Sequence, residues 1–151
     1  MKKCSIFVLV LALSGCTSVT IPNYIQDKSP YKKIYYASFD RVYASSVKVL
    51  EELGWKIEKE SDPALFERGR VAGDKTQEQK LLFTEIRQFS FFLGSKYTRL
   101  NLYLKVNPDK AVEVEIRYLK VTSVLFKNIY NYKSDRFVDR IFKRIAEELN
   151  V

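Results

Sequence analysis

The residues able to do chemistry in this sequence are few: it holds no histidine and only two cysteines, Cys4 and Cys16. The lack of histidine removes Ser-His and Cys-His nucleophilic pairs, most zinc sites and imidazole acid–base work in one step. Carboxylate pairs remain. Glu113 and Glu115 are spaced to share one face of a strand, but Arg117 follows in the same phase, and the three read as a solvated outer face. Glu51-Glu52 and Glu147-Glu148 stand among lysines and arginines near predicted helix ends, where charge runs are ordinarily surface. Gly94-Ser95-Lys96 lacks the upstream glycine and the strand-to-helix setting of a phosphate loop, and reads as a hairpin turn. Neither a catalytic residue nor a metal or cofactor site is expected. What is left is the thiol of Cys16, with the small residues Ser14 and Gly15 ahead of it.

The surroundings of that thiol give it a use. Lys2 and Lys3 form a positive start, Ile6 to Leu13 an apolar run, and Ser14-Gly15 a small-residue exit, the layout of a secretory signal peptide. The apolar run is far short of the ~20 residues a spanning helix needs. Leu13-Ser14-Gly15-Cys16 resembles the bacterial lipobox, whose cysteine is acylated before the peptide is cut. The resemblance implies that residues 1–15 are a lipoprotein signal peptide and that Cys16 carries the lipid. Its acyl chains would then anchor the chain in a bilayer.

Cysteine use follows from that reading. Cys4 leaves with the signal peptide and Cys16 is consumed by lipid, so core packing rather than a disulfide must hold the domain. The remainder, Cys16 to Val151, is one domain's worth of chain. Its net charge falls from the +8 of the whole sequence to +6 once Lys2 and Lys3 are gone. In an exported domain, dispersed basic residues point to solubility or anionic headgroups, and no nucleic-acid partner is expected.

The elements that follow are legible from spacing. Residues 16–33 are short of periodic apolar residues and interrupted by Pro22 and Pro30, so they read as a tether. The domain is expected to occupy 34–151. Ile34 to Ala37 reads as a strand. Ser38 is placed to cap a helix over 39–53 with an apolar stripe through Val42, Ser46, Val49 and Leu50, which Gly54 would end. Trp55 and Ile57 begin a strand, and another is expected around 66–72. Strands over 80–92, 97–106 and 112–118 follow, with a turn at Asn107-Pro108-Asp109-Lys110. Residues 121–133 read as a connection with some strand. A helix over 135–149, capped by Ser134, closes the chain with Phe137, Ile141, Ile145 and Leu149 inward and Lys143–Glu147 and Arg144–Glu148 as i,i+4 pairs.

Within 80–92 the apolar residues break parity. A β-bulge near Arg87-Gln88 would bring Leu82, Ile86, Phe89 and Phe91 onto one buried face, and this is the expected arrangement. The alternative leaves a surface of Phe83, Phe89, Phe91 and Tyr103 on the side the helices do not cover, where a partner could bind.

The expected fold is α+β: an antiparallel sheet of about five to six strands with two long amphipathic helices on one face, in the order β-α-β-β-β-β-α. With Phe39-Asp40-Arg41-Val42-Tyr43 opening the first helix, Leu53-Gly54-Trp55-Lys56-Ile57 closing it and Ser134-Asp135-Arg136-Phe137 opening the last, the chain resembles the helix-grip modules of small bacterial lipoproteins, the BamC-like domains among them. That resemblance implies a non-enzymatic envelope component that docks on a membrane or periplasmic protein complex. A small apolar ligand or a lipid held between helix and sheet is the other reading. Thr17 is not the aspartate that retains lipoproteins at an inner membrane, so an outer membrane, facing the periplasm, is expected in a two-membrane cell.

Overall fold

In the computed structural model, residues 18–67, 78–125 and 127–150 are described. They form seven strands and two long helices: β1 (Tyr31–Tyr35), α1 (Phe39–Glu52), β2 (Ile57–Ser61), β3 (Gln79–Thr84), β4 (Arg87–Phe91), β5 (Gly94–Val106), β6 (Val112–Val124), β7 (Lys127–Asn131) and α2 (Asp135–Leu149). The lipobox residues Leu13, Ser14, Gly15 and Cys16 lie outside the described residues, as does most of the strand expected over 66–72.

All seven strands belong to one antiparallel sheet of order β2-β3-β5-β6-β1, with β4 on β5 and β7 on β6. Its spine is the β5–β6 hairpin, 13 residues a strand and paired without a break from Gly94↔Val124 to Val106↔Val112. The turn sits at residues 107–110 as expected, closed by Asn107 N–H to Ala111 O at 2.7 Å and with Lys110 at φ 65°. The strand count exceeds the expectation because 80–92 divides into β3 and β4, and 121–133 supplies the end of β6 and all of β7.

The two helices lie side by side across one half of the sheet. Val42, Val49 and Leu50 of α1 and Val138, Ile141 and Ile145 of α2 pack with Leu82, Leu100, Leu102, Leu104 and Ile116 in the main core. α1 ends as its glycine demands: Gly54 takes φ +77°, its N–H reaches Glu51 O, and Trp55 N–H reaches Leu50 O, both at 2.8 Å. Ser38 and Ser134 occupy the cap positions with no side-chain cap bond; their carbonyls accept from Val42 N–H and Val138 N–H instead. Lys143–Glu147 forms at 3.8 Å, but the expected Arg144–Glu148 pair does not. The neighbouring helix offers closer partners, so Arg144 reaches Glu52 and Lys48 reaches Glu148, each at 2.6 Å.

The opposite face of the sheet corrects the tether expected at 16–33. Followed backwards from Pro30, the chain crosses the sheet, and Ile25 is fully buried with Leu119 and Val121, against which Val19 and Ile21 also pack. Beside it, Leu81, Phe83 and Tyr103 are covered by Tyr24 and Phe66, the latter just after a 3-10 turn at Pro63–Leu65. A sheet with apolar residues on both faces cannot leave one to water, and these two segments form the thin third layer.

Candidate functional site

Two places could carry function: the charged cluster beneath the crossing segment, and the far half of the β5–β6 hairpin.

The charged cluster corrects the solvated reading of Glu113, Glu115 and Arg117. Glu115 and Arg117 are buried because the crossing segment roofs that face. Arg117 Nε donates to Glu115 Oε1 at 2.9 Å, and its guanidinium also reaches Glu67 and the Tyr24 hydroxyl, lying 4.8 Å from the Tyr24 ring centre. Lys32 stands 3.5 Å from Glu113 and 3.4 Å from Glu115, and Lys105 is 3.5 Å from Glu113. Burial first, and the hydrogen bond to Glu67 second, push the Tyr24 hydroxyl up to about 12. Each carboxylate is matched by a cation, which suits holding the crossing segment down better than shuttling protons. Next to it Asn101, fully buried, accepts from Ile25 N–H at 2.7 Å and donates to Asn23 O at 3.1 Å, while Arg99 donates to Asn23 Oδ1 at 2.8 Å. Sequence reading missed this clamp, since its members look like ordinary surface residues until the third layer is placed. Among the described residues no three His, Cys, Asp or Glu gather where they could hold a metal.

The far half of the hairpin extends past the helices as a four-stranded arm, β4-β5-β6-β7. Gly94 opens β5 because the arm is tight there: a Cβ would lie 1.9 Å from Ser123 O. The face of each arm residue follows from register. Leu100 and Leu102 point to the helices, so Lys96 and its partner Phe89, and Gly94 and its partner Phe91, lie on the helix side. Four residue steps separate Phe83 from Arg87 while their partners Asn101 and Thr98 are three apart, so one residue is added between β3 and β4.

The expected bulge therefore exists, a little before Arg87-Gln88, and it does bring Phe89 and Phe91 to the side of Leu82. Their burial is the part that fails. Phe89 is 65% exposed, Phe91 40% and Ile86 42%, because the helices stop short of the arm. The expected partner surface of Phe83, Phe89, Phe91 and Tyr103 is likewise split. Phe83 and Tyr103 are 0% and 3% exposed under Phe66 and Tyr24, on the other face, and only the β4 phenylalanines are open.

More exposed apolar residues join them. Phe92, 99% exposed, and Leu93 form the β4–β5 turn, and Leu125, at φ 51° with its N–H on Leu93 O at 3.2 Å, sits beside them at the tip. Ile129 faces the helix side through its pairing with Thr122. Residues 86–98 and 118–134 contain no Asp or Glu and include Lys96, Lys120 and Lys127; Arg87 turns toward the end of α1, donating to Leu53 O at 3.3 Å and lying 4.8 Å from the Trp55 ring centre. No known protein-family model matches this sequence, and no curated protein is similar to it.

Proposed function

We propose that this chain is a lipid-anchored, non-enzymatic component of a bacterial cell envelope, one that docks on a membrane or periplasmic protein complex. The observation that carries the reading is the arm: exposed aromatic and aliphatic side chains are gathered at one end of a domain whose buried charges are paired. A monomeric soluble protein rarely leaves such a patch uncovered, so the arm is the surface offered for contact. The lipobox at Cys16 supports anchoring, Thr17 supports the outer membrane, and the likeness to helix-grip lipoproteins belongs to the same proposal. No helix among the described residues is long and apolar enough to cross a membrane, so the acyl chains would supply the attachment.

The apolar-ligand reading needs room between helices and sheet. There Val42, Leu50, Leu102, Leu104, Ile141 and Ile145 are fully buried on one another, which favours docking.

The experiment is site-specific photocrosslinking in cells. A photoreactive side chain at Phe91 should be captured, by membrane lipid or by a discrete protein, and the same group at Arg140, exposed on α2, should not. Equal, diffuse labelling at both positions would defeat the docking reading.

A further inference from the structure

We infer that the arm dips into an anionic bilayer surface, with Phe91, Phe92, Leu93 and Leu125 in the headgroup–acyl boundary and lysines at the phosphates. The inference rests on the anchoring proposed above and names the occupant of the arm.

Two independent observations select a bilayer. One is where the crossing segment leads. Followed backwards, Ile25 meets Asn101, Asn23 meets Arg99, and Ile21 and Val19 pack on the cluster of Ile25, Leu119 and Val121 that Tyr97 also joins, so the chain runs along β5 from Asn101 toward Arg99. Cys16 is three residues before Val19, a reach of at most about 10 Å. The buried clamp at Asn101 and Arg99 thus fixes the course of the crossing segment back to Val19, on the half of the sheet that leads to the arm.

The other is charge. The arm mixes aromatic and aliphatic side chains with Lys96, Lys120 and Lys127 and has no carboxylate of its own. This is the composition of surfaces that bind anionic lipid by apolar insertion plus headgroup attraction.

The test uses the full chain, lipidated and processed in cells, purified and reconstituted in vesicles containing phosphatidylglycerol. Processing removes Cys4 and acylation consumes Cys16, so Phe92→Cys provides a single thiol for an environment-sensitive fluorophore. Phe92 is almost fully exposed, so the substitution leaves the fold intact. The expected result is a blue-shifted emission quenched by spin labels on the acyl chains, with neither effect for the same fluorophore at Arg140→Cys. Each basic residue near such a surface is worth roughly fivefold in partitioning, so adding Lys96→Glu and Lys127→Glu should lower the inserted fraction at least about tenfold. A fluorophore at position 92 that stays in water, on protein that still floats with the vesicles, overturns the arm proposal and leaves the anchor standing. Protein that carries no acyl mass and does not float overturns both. Shielding at position 92 in native membranes but not in lipid vesicles assigns the arm to a protein partner and overturns the bilayer proposal.

Discussion

Thr84 and Leu100 exchange two hydrogen bonds across the step between β3 and β4: the Thr84 hydroxyl accepts from Leu100 N–H at 3.0 Å and donates to Leu100 O at 3.2 Å. The side chain of a fully buried threonine thereby replaces the ladder bonds that the added residue interrupts. This is what lets one strand continue as core in β3 and emerge as arm in β4. Thr84→Val keeps the shape and removes both bonds, leaving the buried Leu100 N–H without its acceptor, while Leu100 O keeps the Asn101 Nδ2 donor at 3.0 Å. The expected loss is about 2 kcal/mol in denaturant unfolding, with faster amide exchange across β4 before the rest of the sheet.

The second prediction concerns the phase of α2. Ile141 is fully buried against the sheet while Arg140 is exposed. Ile141→Asp places an unpaired charge in the core and should cost several kcal/mol, enough to unfold the domain. Arg140→Ala should move stability by less than about 0.5 kcal/mol. Equal melting temperatures would contradict the packing.

The helix phases, the β5–β6 hairpin and the Gly54 stop were legible because each rests on local periodicity or on backbone geometry that one residue fixes. The third layer was not legible. Tyr24 and Ile25 lie in a proline-interrupted stretch without a period, and their partners Phe83, Tyr103 and Leu119 are far along the chain. Parity of Phe89 and Phe91 could be read from sequence, but their exposure depends on where two helices end in space. The arm was therefore visible as a pattern and not as a surface.

Alkaline pH provides a third check. Tyr24 is held up to about 12 by burial and then by Glu67, and burial raises Tyr35 and Tyr118 as well. A phenol whose folded pKa lies above its unfolded value of 10 binds more proton when folded, so its stability contribution is intact below pH 10 and is lost as pH rises toward the folded value. Urea midpoints should fall between pH 10 and pH 12. Tyr24→Phe should start lower, because Arg117 and Glu67 lose the hydroxyl between them, yet decline less steeply over that interval. A slope identical to wild type would show that Tyr24 does not titrate with unfolding.

Anchoring is tested separately from the fold. Cys16→Ala removes the only thiol beside the expected cleavage point, so incorporation of a labelled fatty acid should cease and the precursor should persist. Label remaining on this variant would end the lipoprotein reading while leaving the domain's packing untouched.

Four phenylalanines on one stretch of chain separate core from surface most sharply. Phe83 is fully buried, tilted at 58° against Phe66 with ring centres 5.2 Å apart, and with the Lys59 ammonium 5.0 Å from its ring centre. Truncating it leaves a cavity that Tyr24 and Phe66 cannot both collapse into, and Phe83→Ala should cost roughly 3–5 kcal/mol. Phe89, Phe91 and Phe92 have water on much of their surface already, so the triple alanine variant gives up little apolar burial. It should melt less than about ten degrees below wild type, a loss of about 2 kcal/mol. The same variant should lose the arm's insertion into anionic vesicles, a pairing of intact fold with lost contact that core residues cannot produce. If it melted as low as Phe83→Ala, the helices or the crossing segment would have to cover the arm, and the uncovered surface on which the docking argument depends would not exist.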